Sequence, residues 1–161
     1  MDKPIRKAVR CFLIKENKIA VIKYKIGNNK AGYYDIPGGK IEEGESSKET
    51  AIREMKEETG LKIEKVKYKG NMIIEYPNRI FDLDVFLCDE CEGETQDFKE
   101  NTSEWVEINE LLKKEKILSA IMILDRFFIK GLVNDNFNFK MYIQVDEEEN
   151  ILEVNYKLCD K

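Results

Sequence analysis

Three glutamates at helical spacing are the residues of this sequence best suited to carry out chemistry. Glu54, Glu57 and Glu58 stand at positions i, i+3 and i+4, so a helix projects all three carboxylates from one face. Like charges one turn apart destabilise a bare helix by roughly a few tenths of a kcal/mol, and a bound divalent cation would offset that repulsion. An isolated pattern of this kind is more often a solvated helix face, so the prediction of a cation site depends on the surrounding sequence.

The sequence in front of these glutamates favours the cation site. Gly38 and Gly39 follow a predicted strand, and an acidic loop over 40–44 leads to Glu45. Arg53 lies among the carboxylates and could hold one of them in place through a charge-assisted hydrogen bond. A glycine turn, an acidic loop and a carboxylate helix together predict a cradle for a metal ion.

The helix that carries the glutamates has a clear beginning and end in the sequence. Ser46, followed by Glu49 three positions later, is a capping-box pattern. Gly60 stands where helices commonly end in a left-handed residue. These signals predict a helix over 46–59.

The absence of histidine from the 161 residues is the strongest restriction on the chemistry. It excludes Ser-His-Asp and Cys-His catalysis, HExxH metalloproteases and most catalytic zinc sites. Acid–base and metal chemistry then fall to carboxylates, lysines, tyrosines or bound water. Oxygen ligands alone favour Mg²⁺, Mn²⁺ or Ca²⁺ over zinc.

Two of the four cysteines, Cys88 and Cys91, have the CxxC spacing of a zinc knuckle or a redox site. The sequence has no second CxxC pair and no histidine that could complete a zinc sphere. We therefore interpret these two residues as structural or incidental thiols.

Length, charge and hydropathy limit the class of protein. A chain of 161 residues fits one domain over 1–161 that is large enough to bury a core. The net charge of −5 and the pI of about 5.1 argue against a broad basic face for a nucleic-acid polymer. No apolar run reaches the roughly 20 residues of a membrane helix, and the amino terminus lacks a signal-peptide pattern. We expect a cytoplasmic protein that is a monomer or a homodimer.

The elements that would position the glutamates alternate between strands and helices without a regular βαβ rhythm. This order predicts an α/β (α+β) fold in which helices flank a mixed sheet. Strands are expected over 6–14, 18–24, 33–37, 63–69, 72–76, 81–88, 105–108, 137–145 and 151–158, with a loop over 92–103. Besides 46–59, helical segments are expected over 109–112 and 118–130.

The motif as a whole resembles the Nudix box. It consists of Gly39, Glu45 and the run Arg53-Glu54-Met55-Lys56-Glu57-Glu58-Thr59-Gly60-Leu61, and every fixed position of the box is filled. The resemblance to Nudix hydrolases of the MutT-like kind implies an α/β/α sandwich around a mixed β-sheet. It also implies cleavage of a pyrophosphate bond in a nucleoside-diphosphate-type substrate.

The resemblance implies a role for each matching position. The cofactor would be Mg²⁺, with Mn²⁺ as a possible substitute, and Arg53 would orient a glutamate of the box. The implied metal set is Glu54, Glu57 and Glu58, together with the carbonyl oxygen of Gly39 and the carboxylate of Glu45.

The general base is the least defined of these roles. Glu57 or Glu54 could accept the proton of the attacking water within the box. Glu100 and Glu104, which precede or flank the predicted strand at Trp105, could supply a carboxylate from outside it. An ordinary surface glutamate is the alternative for each of the last two.

The carboxyl-terminal half resembles the branch of the family that hydrolyses oxidised purine nucleoside triphosphates. Ile117, Ser119 and Ala120 replace the tryptophan and two aspartates that would read the purine, and an asparagine is replaced by aspartate. Candidate base-contacting residues are Tyr33, Tyr34, Asp35 and Phe81, which could instead pack the sheet. A nucleoside triphosphate is the expected substrate. Another nucleotide such as ADP-ribose, or a catalytically silent nucleotide-binding regulator, is the alternative.

Overall fold

The computed structural model describes residues 2–25, 30–118 and 137–160. In these residues the chain forms, in order, β1 (Ile5–Lys15), β2 (Lys18–Tyr24), β3 (Tyr34–Asp35), β4 (Gly38–Lys40), α1 (Ser47–Thr59), β5 (Lys67–Glu75), β6 (Ile80–Cys88), β7 (Asn101–Glu107), α2 (Ile108–Leu111), β8 (Phe137–Val145) and β9 (Ile151–Asp160). The helix predicted over 118–130 lies almost wholly outside the described residues.

A tight hairpin joins β1 to β2. Glu16 and Asn17 form its two-residue turn with φ values of 48° and 66°. Positive φ at both positions suits the twist of an antiparallel pair, which is why a two-residue connection suffices here. The hairpin predicted from the sequence is confirmed.

The sheet is mixed, as the sequence predicts. Its strand order is β3-β2-β1-β6-β5-β8-β9, with β4 paired to β1 and β7 paired to β2. β1 runs parallel to β6 but antiparallel to β2 and β4, and β5 runs parallel to β8 but antiparallel to β6. Strand β1 therefore joins the amino-terminal hairpin to the rest of the sheet.

Two apolar clusters lie on opposite faces of β1. Val9 and Cys11 are fully buried and face α1, where they pack with Met55. The alternate residues Ala8 and Phe12 belong to the other cluster, which also contains buried side chains of β5, β6 and β8. The period of two along a strand thus assigns one side of the sheet to the carboxylate helix.

One long strand, β5, replaces the two that the sequence predicts over 63–69 and 72–76. The irregularity between them is a bulge at Tyr68 and Gly70 inside a continuous strand. Gly70 has φ of +151°, and a Cβ atom there would lie 2.1 Å from the carbonyl oxygen of Phe139 on β8. The glycine is required by a close approach between two strands and does not end one.

Two further boundaries differ from the prediction. The segment over 38–40, expected as part of a glycine turn, forms β4 because it pairs with β1. Strand β7 begins at Asn101, inside the predicted loop, because it pairs with β2 over its whole length. Both differences come from long-range pairing.

Among the described residues, no helix has the length and apolar character needed to cross a membrane.

Candidate active site

Helix α1 begins and ends where the sequence predicts. The Ser46 side chain accepts a 3.1 Å hydrogen bond from the backbone N–H of Glu49, and the Glu49 carboxylate accepts one from the backbone N–H of Ser46. Gly60, with φ of 84°, ends the helix and donates to the carbonyl oxygen of Lys56. These caps satisfy orphan backbone groups at both ends and fix the register of the carboxylates.

The buried face of α1 fixes the direction of its glutamates. Ala51, Met55 and Thr59 are fully buried against the sheet. Glu54 and Glu58 flank this stripe and are partly buried, whereas Glu57 is exposed. The apolar packing therefore holds the three carboxylates at the boundary between the sheet and solvent.

Arg53 draws three glutamates into one cluster. Its Nε donates to Glu45 at 2.7 Å and its Nη2 donates to the same carboxylate at 3.0 Å. Its Nη1 donates to Glu54 at 2.9 Å and to Glu57 at 3.0 Å. Thr50 adds a 2.6 Å hydrogen bond to Glu45. The bonds from Arg53 and Thr50 lower the pKa of Glu45 to about 2, so this carboxylate stays charged.

Glu58 is held apart from that network. Its Oε1 accepts a 2.8 Å hydrogen bond from the backbone N–H of Gly38 in β4. Loss of solvent around the carboxylate raises the pKa of Glu58 to about 8, with repulsion from Glu54 acting in the same direction. Burial likewise raises the pKa of Glu54. Burial therefore favours the protonated form of both carboxylates.

The backbone at Gly39 fits a cation site. A Cβ atom at this position would lie 2.5 Å from the carboxylate of Glu54, so glycine lets the main chain approach that carboxylate without displacing it. The groups gathered here are oxygen donors, which suit Mg²⁺ or Mn²⁺. In the described part of the chain, no three acidic or thiol side chains already stand as a ligand set. Instead, Nη1 of Arg53 lies between Glu54 and Glu57 and donates a hydrogen bond to each. Binding of a cation by both glutamates would therefore require their carboxylates to move closer together.

Glu104 lies on the face of the sheet away from α1. Its neighbour Ser103 points toward the helix, where the hydroxyl donates to the carbonyl oxygen of Thr59. Alternation along β7 sends Glu104 to the opposite face, where burial and the nearby negative charge of Glu104 raise the pKa of Tyr34. Glu100 is exposed in the turn before β7. The structure brings Gly39, Glu45, Arg53, Glu54, Glu57 and Glu58 together at one place and sets Glu100 and Glu104 elsewhere.

A cavity of about 220 Å³ lies on the face of β1 opposite α1. Phe81 lines it beside Tyr76, and the two rings meet edge to face with centroids 5.7 Å apart. Asp35 borders the cavity and is 2% exposed. Of the predicted base-contacting residues, Asp35 and Phe81 therefore reach this cavity. Tyr33 and Tyr34 do not line it, and their rings lie under lysine ammonium groups instead.

Arg10 also lines the cavity, and no family motif points to it. Its guanidinium lies 3.8 Å from the carboxylate of Asp35. The only local signal in the sequence is a charged residue inside the apolar run of β1. Tyr24, Tyr76 and Arg79, which also line the cavity, carry no sequence signal because separate segments bring them together.

Comparison with known proteins adds observations of three kinds, from a family model, a solved structure and two curated relatives. The family model described as NUDIX domain matches residues 4–127. A solved structure of a mutator MutT protein from Bacillus halodurans superimposes with a TM-score of 0.75 at 23% identity, and covers 95% of this chain and 97% of that one. At this identity the likeness shows the fold. It confirms the predicted sandwich around a mixed sheet.

Two curated relatives are similar in sequence. An 8-oxo-dGTP diphosphatase of Escherichia coli is 27% identical over 106 residues, which cover 66% of this chain and 82% of the relative. An ADP-ribose pyrophosphatase of Methanocaldococcus jannaschii is 50% identical over 60 residues, but these cover 37% of this chain and 34% of the relative.

Proposed function

This chain belongs to the NUDIX domain family and is a Nudix hydrolase, and we propose that it cleaves a nucleoside triphosphate to the monophosphate and pyrophosphate with Mg²⁺ as cofactor. The observation that carries the proposal is the cluster in which Arg53 joins Glu45, Glu54 and Glu57 beside Gly39. Such a set of oxygen donors suits a hard divalent cation and the anionic substrate that it would bind.

Each member of the cluster has a proposed role. Glu54, Glu57, Glu58 and the carbonyl oxygen of Gly39 would hold Mg²⁺, with Glu45 as the anchor of Arg53. When bound there, Mg²⁺ supplies charge neutralisation of the diphosphate and lowers the pKa of a water molecule.

The proton of the attacking water needs an acceptor near the phosphates. We propose Glu57, whose side chain is 56% exposed and therefore accessible to water and substrate. Arg53 Nη1 donates a 3.0 Å hydrogen bond to this carboxylate and holds it beside Glu54. Glu54, Glu100 and Glu104 are the alternatives, and their glutamine variants separate them.

The substrate proposal has two supports of its own. The E. coli relative is named as an 8-oxo-dGTP diphosphatase, and the aromatic cavity near Phe81 suits a nucleobase. ADP-ribose is the second candidate, favoured by the short stretch of high identity to an ADP-ribose pyrophosphatase.

A substrate panel tests the proposal. Turnover of dGTP, 8-oxo-dGTP, ADP-ribose and NADH would be measured by chromatography of the nucleotide products, in Mg²⁺ and in EDTA, and pyrophosphate release would be measured for the two triphosphates. We expect Mg²⁺-dependent pyrophosphate release from a triphosphate. Replacing Glu57 by Gln should lower kcat by about 10²- to 10⁴-fold, whereas Glu64→Gln, an exposed glutamate outside the cluster, should leave it unchanged.

Three results would contradict these assignments. Faster turnover of ADP-ribose than of any triphosphate would favour the second candidate. Tight binding of a nucleotide without turnover of any substrate would indicate a silent regulator. Full activity of the Glu57→Gln variant, with loss of activity in Glu104→Gln, would move the general base to β7.

A further inference from the structure

Arg10 is a charged side chain in an apolar row. On β1 it lies between Ala8 and Phe12, which face the same side of the sheet and are both buried. The Arg10 side chain is only 17% exposed. Burying a charge in such surroundings is unfavourable unless partners satisfy it. The contacts of this guanidinium therefore bear on its role.

The hydrogen-bond donors of the Arg10 guanidinium are only partly used. Its Nη1 donates to the carbonyl oxygen of Val9 at 2.8 Å. Its Nη2 lies 3.8 Å from Oδ2 of Asp35, which is beyond a direct hydrogen bond. Its Nε is buried without a hydrogen-bond partner among the described residues. A guanidinium carries five N–H donors, so several remain for a ligand.

Asp35 lies beside Arg10, and each of its carboxylate oxygens already accepts a hydrogen bond. Its Oδ1 accepts from the backbone N–H of Ile36 at 2.8 Å, and its Oδ2 accepts from the hydroxyl of Tyr24 at 3.1 Å. Only 3% of the Asp35 side chain is exposed, against 17% for Arg10. Of this pair, Arg10 is the member with donors and surface to offer to the cavity.

The cavity that Arg10 lines has the character of a base site. Tyr24, Tyr76, Phe81 and Leu83 form much of its wall. Its volume of about 220 Å³ is below the roughly 300–1,000 Å³ of sites that enclose a whole drug-sized ligand. Aromatic and apolar walls suit a flat base, and Arg10 is also within electrostatic reach of Glu58 on α1.

We propose that Arg10 is the specificity-determining residue of this enzyme and selects a 6-oxopurine by donating two hydrogen bonds to its O6 and N7 atoms, with Asp35 as the positioning residue. The inference rests on the proposed function, in which the cavity receives the base of a nucleotide. Arginine has donors only, so it matches the two acceptors of guanine or hypoxanthine. Adenine presents an amino donor in place of O6 and is therefore disfavoured.

Substitution by glutamine gives the sharpest test, because a glutamine side chain can pair with the N6 and N7 atoms of adenine. Affinities for dGMP, dIMP and dAMP would be measured by calorimetry without Mg²⁺, and kcat/KM would be measured for dGTP, dITP and dATP with Mg²⁺. The inosine compounds have O6 and N7 but lack the 2-amino group of guanine. They therefore distinguish the hydrogen bonds that Arg10 would donate to O6 and N7 from any other contact to the base.

Two further variants complete the set. Arg6→Gln is the matched control, because Arg6 lines the same cavity from the same face of β1 and lies over the Phe81 ring. Arg10→Lys keeps a cation beside Asp35, which protects the fold, but lacks the planar fork.

We expect the wild type to prefer dGMP and dIMP over dAMP in binding and to show the same order in kcat/KM. Arg10→Gln should reduce this preference by roughly 10- to 100-fold, Arg10→Lys should reduce it as well, and Arg6→Gln should affect all bases equally.

Equal weakening of all three nucleotides by both Arg10 variants would show a phosphate contact and overturn the inference. Turnover without any base preference would overturn it and leave the proposed function standing. Base-selective binding that depends on Arg10, without turnover, would support it while the proposed function fails.

Discussion

The backbone N–H of Gly38 donates a 2.8 Å hydrogen bond to Oε1 of Glu58, and this bond joins β4 to the last turn of α1. Three of the groups proposed to hold the cation lie near this junction: Gly39 next in the chain, Glu58 itself and Glu54 one turn earlier. Substitutions at the two neighbouring glycines should nevertheless have different effects, because a Cβ atom would meet a different group at each of them.

Stability of the metal-free protein should fall as the pH rises from 5 to 8.5. The pKa of Glu58 is raised to about 8 in the fold, mainly by burial, from an ordinary value of 4.5. Its stabilising contribution is therefore complete below 4.5 and is lost as the pH rises through 8, because the unfolded chain gives up the proton first. Mg²⁺ should reverse the trend, since it favours the charged carboxylate.

Urea unfolding at pH 5.5 and 8.5, with EDTA or with Mg²⁺, measures this dependence. The Glu58→Gln variant is the control, because it cannot titrate at this position and should lose the part of the pH dependence that comes from Glu58. A wild-type midpoint in EDTA that rises between these pH values would contradict the assignment.

Gly39→Ala should impair the cation site and spare the fold. The added Cβ would lie 2.5 Å from the Glu54 carboxylate, which is the end of a flexible side chain and can move away. We expect a melting temperature close to that of the wild type and an Mg²⁺ affinity at least about 10-fold weaker. Thermal melts in EDTA and Mg²⁺ titration of activity check the two parts. An unchanged Mg²⁺ requirement would count against Gly39 and Glu54 as parts of one site.

Gly38→Ala, one residue earlier, should damage the fold itself. Its Cβ would lie 1.9 Å from the carbonyl oxygen of Val9. Both groups are main chain of paired strands, so neither can rotate out of the way. Overpacking of this kind costs about 1–3 kcal/mol or more, which chemical denaturation in EDTA would show. Stability equal to that of Gly39→Ala would disprove the contrast.

Arg53→Lys should lower activity although the charge is kept. The guanidinium contacts Glu45 through two nitrogens and reaches Glu54 and Glu57 through a third. A lysine ammonium cannot make this forked arrangement. We expect a loss in kcat of roughly 10- to 100-fold with little change in the thermal midpoint, measured against Lys62→Arg as an exposed control. Wild-type kcat in Arg53→Lys would refute an orienting role.

Local signals predict the carboxylate helix almost completely. Ser46 and Gly60 cap it through groups within a few residues, and the three-and-four spacing of the glutamates needs only helix geometry. The capping box, the helix bounds and the single face of Glu54 and Glu58 could therefore be inferred before any tertiary structure.

Long-range contacts account for what the sequence does not predict. Gly70 reads as a break between strands, but its role depends on Phe139, far along the chain. Arg10 reads as an interruption of an apolar strand, and its partner Asp35 comes from a separate segment. No local pattern contains these pairs, because the sheet topology creates them.

The end of α1 is tied to a second strand. Asn101 donates a 2.9 Å hydrogen bond to the carbonyl oxygen of Glu58, and Ser103 donates one to that of Thr59. Fraying would otherwise be easiest at this terminus. Here the last turn can unwind only if β7 releases it, and β7 is paired with β2 over its whole length. The free energy of local unfolding of the turn that carries the glutamates is thereby coupled to the free energy of unfolding of the sheet. The carboxylates are therefore held as rigidly as the sheet.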